Sequence, residues 1–307
     1  MQLLQFFYAG KALYFGGQSK VRKNKTRVFV FFVFLFIFIK GSRAYAEEVN
    51  YLDYVNASEI LVVQNPQTVE DFEKILLYMD VSDTYTMLIP YMDRAVIPGD
   101  AIYNANKAFD LLRNKYPEFF ASHTYFYCTR EKAYGRPALN VSINSLEFES
   151  KDLQDKKRIF FETAKETVDD LIDHKVIDLE MNDYDKAKIL FEWVVFNTTY
   201  DYDFVMKDRQ TGYGAMVDKI AVCEGYVSAY NLLLRMVGIK DVIGIVGYSE
   251  DAGHIWTRAV LDGKTVYIDP TWGDPRNMNI DYDYFDIDRE SLMQAHGRQG
   301  IVWWEDY

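Results

Sequence analysis

Residues 214–238 read GAMVDKIAVCEGYVSAYNLLLRMVG and predict a helix whose N-terminus lies at or just after Cys223. Apolar side chains recur along one face of this helix, at Tyr226, Val227, Tyr230, Leu233, Leu234 and Val237. Gly238 suits the helix end, because glycine readily adopts the left-handed conformation found there. The dipole and the free N–H groups of a helix start stabilise a thiolate or an oxyanion. Cys223 is therefore a candidate nucleophile.

A β-hairpin is predicted after this helix. Three strands are expected, at Val242 to Tyr248, His254 to Leu261 and Thr265 to Asp269. Asp262-Gly263, between the last two, is among the strongest signals for a tight turn. A two-residue loop places Asp269 opposite Trp256 and diagonal to His254 on the same sheet face. A loop of three or five residues would instead separate the two side chains onto opposite faces.

These residues predict a nucleophile with a base and an orienting group. Cys223 would attack a carbonyl, His254 would hold the thiolate and later protonate the leaving group, and Asp269 would fix the imidazole tautomer. Simpler alternatives stay open from the residues alone. Cys223 is then a packed thiol or the partner of Cys128 in a disulfide, and His254 is structural.

The segments around these residues resemble bacterial secreted transglutaminase-like domains of the papain-like cysteine enzyme superfamily. The resemblance rests on Tyr213-Gly214-Ala215, Ala221-Val222-Cys223-Glu224-Gly225-Tyr226, His254-Ile255-Trp256 and Asp269-Pro270-Thr271-Trp272-Gly273-Asp274, in the family's order. Lys186 to Asp201, Tyr284-Phe285 and His296 resemble its outer segments. Ile255 departs from the family pattern, in which alanine is commoner at this position.

The resemblance implies an α+β fold, with a papain/transglutaminase-like core in which the nucleophile helix packs on an antiparallel sheet. A helical N-terminal extension would precede this core. It also implies a Cys-His-Asp triad at Cys223, His254 and Asp269. Activities in the superfamily include transamidation and amide hydrolysis, and some members have lost catalysis.

Three aromatic residues are weaker candidates for the cleft. Tyr213 is a candidate second oxyanion donor, and the alternative is that it packs against the cysteine helix. Trp256 and Trp272 would shield the triad from water, although core packing explains them equally well.

The chain divides into four predicted regions: an export segment (1–46), a poorly specified N-terminal extension (47–99), a helix and strand region packed on the core (100–182) and a catalytic core (183–307). Hydrophobic periodicity predicts helices at Val69 to Met79, Asp100 to Tyr116, Asp152 to Asp173 and Asp183 to Asn197. Strands are expected at Thr124 to Cys128 and Ala138 to Phe148, with a turn around Gly135.

The first 46 residues have the pattern of a secretory signal peptide. A basic cluster at Lys20 to Arg27 precedes an apolar run from Val28 to Ile39, and Ala44-Tyr45-Ala46 suits cleavage. The run is short for a membrane-spanning helix. An uncleaved membrane anchor is the alternative. Translation from a start near Val21 would give the signal peptide a basic region of ordinary length. The domain is therefore expected to work outside the cytoplasm, secreted or associated with the cell envelope.

Charge and composition limit the partners and cofactors. Residues 1–46 hold eight of the 34 basic residues and no acidic one, so residues 47–307 carry 26 basic and 46 acidic residues, a net of −20. Such a surface disfavours nucleic acid and anionic lipid. Two cysteines and four scattered histidines predict no metal site. Calcium at Asp281, Asp283, Asp286 and Asp288 is the alternative to a solvated acidic loop.

The leading hypothesis is an exported cysteine enzyme that transfers an acyl group from a protein or peptide amide through a thioester on Cys223. Water as acceptor would give a peptidase or amidase, and an amine would give a crosslink. The alternative is a non-catalytic envelope protein that uses the same fold to bind a cell-wall or surface polymer.

Overall fold

The computed structural model describes residues 65–81, 84–91, 96–118, 124–145, 150–249, 252–274 and 279–296. The predicted export segment, residues 1–46, lies outside these ranges. A search of the described helices finds none with the length and apolar character that crossing a bilayer requires.

The first half of the described chain packs two helices on a three-stranded antiparallel sheet. Its elements are α1 (Val69–Val81), β1 (Thr86–Pro90), α2 (Ala101–Lys115), β2 (Thr124–Ala133) and β3 (Arg136–Ser145). β3 is the central strand, in the order β1-β3-β2. Helices and sheet bury one shared apolar cluster, which includes Phe72, Leu76, Leu112, Leu139 and Val141. Residues 69–90, which the sequence places in an extension, therefore share a core with the elements that follow.

The β2–β3 turn confirms the predicted reversal around Gly135. Ala133 pairs with Arg136, and the two residues between them, Tyr134 and Gly135, have φ angles of 52° and 74°. Positive φ at both positions is the geometry of a type I′ hairpin. β2 runs five residues beyond the predicted end at Cys128, because its backbone pairing with β3 continues past the apolar stretch.

The second half surrounds a buried helix. Its elements are α3 (Ser150–Asp173), α4 (Asp183–Asn197), β4 (Thr199–Tyr200), β5 (Ile220–Ala221), α5 (Cys223–Met236), β6 (Val242–Ser249), β7 (Ala252–Leu261), β8 (Lys264–Ile268) and α6 (Arg289–His296). Every residue of α5 from Gly225 to Met236 is buried, as expected for a helix apolar on most sides. α5 contacts α3, α4, β6 and β7. The predicted α+β fold, with the cysteine helix packed on an antiparallel sheet, is confirmed.

The β7–β8 hairpin has the predicted two-residue turn. Leu261 pairs with Lys264, and the ladder ends at Thr257 opposite Ile268. Asp262 and Gly263 have φ angles of 51° and 82°, again the type I′ pattern. Asp269 follows the last paired residue directly, in the register that the sequence predicts.

The Asp262 side chain also caps α4. Its two carboxylate oxygens accept hydrogen bonds from the backbone N–H groups of Asp183 and Tyr184, each at 3.0 Å. We expect Asp262→Gly, which preserves the positive φ, to lower the free energy of unfolding by about 1 kcal/mol through loss of this cap. Urea unfolding followed by circular dichroism measures the change. Asp262→Asn keeps one acceptor and is the matched control; equal midpoints for Asp262→Gly and the parent would contradict the capping role.

Candidate active site

Cys223 is the first residue of α5 and is partly buried. The preceding residue, Val222, is extended, with φ −103° and ψ −177°, and its side chain makes no capping hydrogen bond. The first N–H groups of the helix are therefore not occupied by a capping side chain. The partial positive charge of these N–H groups can stabilise a negative charge at the Cys223 sulfur or on an oxygen atom beside it.

A close approach of two backbone segments fixes the start of α5. The Val222 N–H donates to the carbonyl of Arg209 at 2.8 Å. A Cβ on Gly225 would lie only 2.8 Å from the carbonyl oxygens of Arg209 and Thr211, closer than any side chain tolerates. Glycine two residues after the cysteine thus lets the segment at 209–211 pack on the first turn of the helix.

His254 and Asp269 form a buried pair on the sheet. The His254 Nε2 lies 2.7 Å from Asp269 Oδ2, and the Asp269 side chain is fully buried. The other carboxylate oxygen accepts the backbone N–H groups of Thr271 at 3.0 Å and Trp272 at 3.1 Å. Both oxygens of Asp269 are therefore satisfied, which holds the carboxylate in position to orient the imidazole.

The structure brings Cys223 to this pair. Its side chain lies close enough to the His254 imidazole to contribute to the shift of the imidazole pKa. Because Asp269 occupies Nε2, Nδ1 is the ring nitrogen that remains for the thiol. Burial on its own lowers the pKa of His254, but the charge and hydrogen bond of Asp269, together with Cys223, outweigh it and raise the pKa to about 10. The arrangement favours an imidazolium beside the sulfur at neutral pH.

Two tryptophans enclose the imidazole. The Trp272 ring stacks on His254 with centroids 5.5 Å apart and an interplanar angle of 29°. Trp256 is fully buried on β7, and the centroid of its ring lies 5.9 Å from that of His254. Tyr284 packs edge-on against Trp272 at 5.3 Å and holds that ring in place. Both tryptophan rings therefore contact the imidazole, and Trp256 also belongs to a buried apolar cluster, so the predicted role as a water shield stays a prediction.

Tyr213, the candidate second oxyanion donor, packs against the hydrophobic core. It precedes a short π-helical turn, Gly214–Asp218, and its ring lies against the core cluster that contains α5. The Lys156 ammonium sits 5.2 Å above the centre of that ring. These contacts correspond to the packing alternative, and its role as a donor stays a prediction.

Tyr200 lies at the site, although the sequence analysis names only the segment that contains it and gives Tyr200 itself no role. The rings of Tyr200 and Tyr226 are 6.4 Å apart, and Tyr226 is in the first turn of α5. Burial, followed by the charges of Cys223, Tyr202 and Asp269, raises the pKa of Tyr200 to about 12. No periodicity in the sequence could have placed it there, because β4 has only two residues.

Three of the four aspartates considered as alternative calcium ligands have other partners. Asp281 accepts the N–H of Asp283, Asp286 pairs with Lys264 at 2.8 Å, and Asp288 accepts the N–H of Ser291 at the start of α6. Among the described residues, no group of three or more His, Cys, Asp or Glu side chains is arranged to hold a metal ion.

The segment that holds these residues is similar to a known protein family. Residues 172–270, which include Cys223, His254 and Asp269, match the family model described as Transglutaminase-like superfamily. Kyphoscoliosis peptidase of Homo sapiens is 24% identical over 148 residues, covering 42% of this chain and 22% of that protein. The Mus musculus protein of the same name is 26% identical over 123 residues, covering 35% and 18%.

The chain spans about a fifth of the length of these two relatives. Among solved structures, a TGase aligns with a TM-score of 0.34 and 14% identity, over 71% of this chain and 58% of that one. The similarity to the Transglutaminase-like superfamily thus extends over residues 172–270, the part of the chain that holds the candidate site.

Proposed function

We propose that this protein is a cysteine enzyme that transfers the acyl group of a protein or peptide amide through a thioester on Cys223. The observation that carries the proposal is the His254 imidazole, which a fully buried carboxylate holds at 2.7 Å and which lies within electrostatic reach of Cys223. Nucleophile, base and orienting group in this order are the parts that acyl transfer requires.

The chemistry divides into two half-reactions. The Cys223 thiolate attacks the amide carbon, a C–S bond forms, and the carbonyl oxygen becomes an oxyanion. The His254 imidazolium gives its proton to the amine as the C–N bond breaks, which leaves a thioester. Neutral His254 then takes a proton from water or from an amine, whose attack on the thioester releases the acid or the new amide and restores the thiol.

The substrate follows from weaker observations. The relatives named peptidase favour a peptide or protein amide. The net charge of −20 over residues 47–307 favours a basic or neutral partner. The pattern of residues 20–46 supports export, and hence a substrate at the cell surface or in the envelope.

Substitution of the nucleophile tests the proposal. Full-length protein would be incubated with dimethylated casein and dansylcadaverine. Incorporation of dansylcadaverine reports transfer to an amine. Ammonia released in excess of that incorporation reports hydrolysis of side-chain amides, and new peptide N-termini report hydrolysis of the backbone. We expect Cys223→Ala to lower whichever rate is seen by at least about 1,000-fold, because it removes the nucleophile.

Cys128→Ala is the matched control, since Cys128 is the other free thiol and is buried in the N-terminal core. We expect it to retain full activity. Equal rates for Cys223→Ala and the parent protein would overturn the proposal. Retention of the protein on cell-wall polymer without any product would then support the envelope-binding alternative.

A further inference from the structure

We propose that the Tyr200 hydroxyl is the side-chain donor that stabilises the oxyanion formed when Cys223 attacks a carbonyl. The inference rests on the proposed function, because an oxyanion arises only if Cys223 is acylated. It assigns a catalytic residue outside the Cys223, His254 and Asp269 group.

The backbone positions Tyr200 beside the nucleophile. β4 and β5 pair in parallel, with Tyr200 opposite Ala221, which lies two residues before Cys223. The N–H of the next residue, Asp201, donates to the Ala221 carbonyl at 2.9 Å and extends this pairing. Tyr200 is therefore fixed to the strand that leads directly into α5.

The ring of Tyr200 lies at the first turn of α5. Its centroid is 6.4 Å from that of Tyr226, and residues 223 and 226 share one face of a helix. The phenol is also close enough to Cys223 and Asp269 for both to act on it electrostatically. The Tyr200 side chain therefore lies at the end of α5 that carries Cys223, the end at which an oxyanion would form.

The proton of Tyr200 stays on the hydroxyl at neutral pH. Burial is the first cause that raises the pKa of Tyr200 to about 12, and the neighbouring negative charges add to it. A protonated phenol can donate a hydrogen bond to an oxyanion. A donor placed before the reaction, in a site that excludes water, stabilises the developing charge strongly.

The neighbouring tyrosines are less suited to this role. The Tyr226 hydroxyl donates to Asp274 Oδ2 at 2.5 Å, so its proton is already engaged. The Tyr213 ring lies under the Lys156 ammonium, 5.2 Å from the ring centre. Tyr202 packs against Tyr200 with centroids 4.8 Å apart but is 47% exposed, and it serves as the matched control.

Two reagents that modify the same sulfur test the proposal, because the reaction of only one of them passes through an oxyanion. 4-Nitrophenyl acetate acylates a thiolate: the C–S bond forms, the carbonyl oxygen becomes an oxyanion, and 4-nitrophenolate leaves. Iodoacetamide alkylates the same sulfur with loss of iodide and forms no oxyanion. The ratio of the two rates at Cys223 therefore reports oxyanion stabilisation separately from the reactivity of the thiol.

We expect Tyr200→Phe in the full chain to slow the burst of 4-nitrophenolate by about 10- to 100-fold, since one oxyanion donor is lost. Its alkylation rate should match that of the parent, and Tyr202→Phe should change neither rate. Equal losses in both reactions would overturn the proposal, because Tyr200 would then only order the site. An unchanged burst in Tyr200→Phe would overturn it while leaving the proposed function intact.

Absence of any burst from the parent protein, or a burst that persists in Cys223→Ala, would overturn the inference together with the proposed function. The parent protein and the three variants therefore separate a failure of the oxyanion assignment from a failure of the acyl-transfer chemistry.

Discussion

Replacement of His254 by asparagine should slow the alkylation of Cys223 by iodoacetamide about 100-fold at pH 6, because a thiol without a cationic partner is almost wholly protonated there. In the parent protein, the imidazolium lies against the sulfur and is held by Asp269. Asparagine has a similar volume and hydrogen-bonding capacity but carries no positive charge. Mass spectrometry of the labelled Cys223 peptide against time gives the rate.

The pH dependence of this difference has a defined sign. The pKa of His254 is raised from 6.5 to about 10, so the imidazolium charge is present at acid and neutral pH and is lost as the pH rises through about 10. The charge can assist the thiolate only while it is present. We therefore expect the ratio of parent to His254→Asn rates to be largest below pH 7 and to approach unity near pH 10.

Two further variants make the alkylation experiment decisive. Cys128→Ala, introduced in all proteins, removes a background thiol, although burial already raises the pKa of Cys128 to about 11. Asp269→Asn keeps the shape of the orienting group and removes its charge, so its rate should fall between those of the parent and His254→Asn. A parent rate that rises only at alkaline pH and is indifferent to His254 would mean that Cys223 is an ordinary thiol.

The hairpin that carries His254 and Asp269 could be predicted from the sequence because its signals are local. Asp262-Gly263 specifies a two-residue turn with both φ angles positive, and the turn fixes the register. Once the register is set, alternation of side chains along the strands places Asp269 near His254. The start of α5 at Cys223 is equally local, because it follows from helical spacing and a terminal glycine.

Features that depend on distant segments could not be predicted in this way. Tyr200 reaches the site because β4 pairs in parallel with β5. Each of these strands has only two residues, and they lie about twenty positions apart in the sequence. Such a short ladder leaves no period in the sequence. Likewise, the sequence places α1 in an extension, because its apolar face is buried only by packing against α2 and the sheet.

Disruption of a buried ion pair remote from the site is expected to have the largest effect on stability. Arg235, near the end of α5, donates from Nε to Glu118 Oε1 at 2.6 Å. The two side chains are 3% and 0% exposed, respectively. Burial raises the pKa of Glu118, and the charge of Arg235 opposes that shift. Each charge is therefore tolerated in the interior because the other is present.

Arg235 also satisfies three carbonyl groups from different parts of the fold. Its Nη atoms donate to the backbone oxygens of Lys115 and Lys240, each at 3.0 Å, and to that of Val242. The guanidinium lies 5.0 Å above the ring centre of Tyr116. One side chain thus joins the end of α2, in the N-terminal half, to the C-terminal end of α5 and the start of β6.

We expect Glu118→Gln to lower the free energy of unfolding by about 3–5 kcal/mol, since the arginine charge is left buried without a counter-charge. Asp241→Asn is the matched control: it removes the same charge from an ion pair with Arg258, at 3.0 Å, in which the carboxylate side chain is 59% exposed. Exposed pairs contribute at most about 1 kcal/mol. Urea unfolding of both variants, monitored by tryptophan fluorescence, makes the comparison.

A double-mutant cycle then identifies the source of the loss. If the cost of Glu118→Gln comes from the uncompensated charge on Arg235, combining it with Arg235→Met should cost less than the sum of the two single changes. Additive losses would instead mean that the carbonyl contacts of Arg235, rather than its pairing with Glu118, stabilise the junction. A loss in Glu118→Gln no larger than that in Asp241→Asn would contradict the prediction, because the buried pair would then behave as a solvated one.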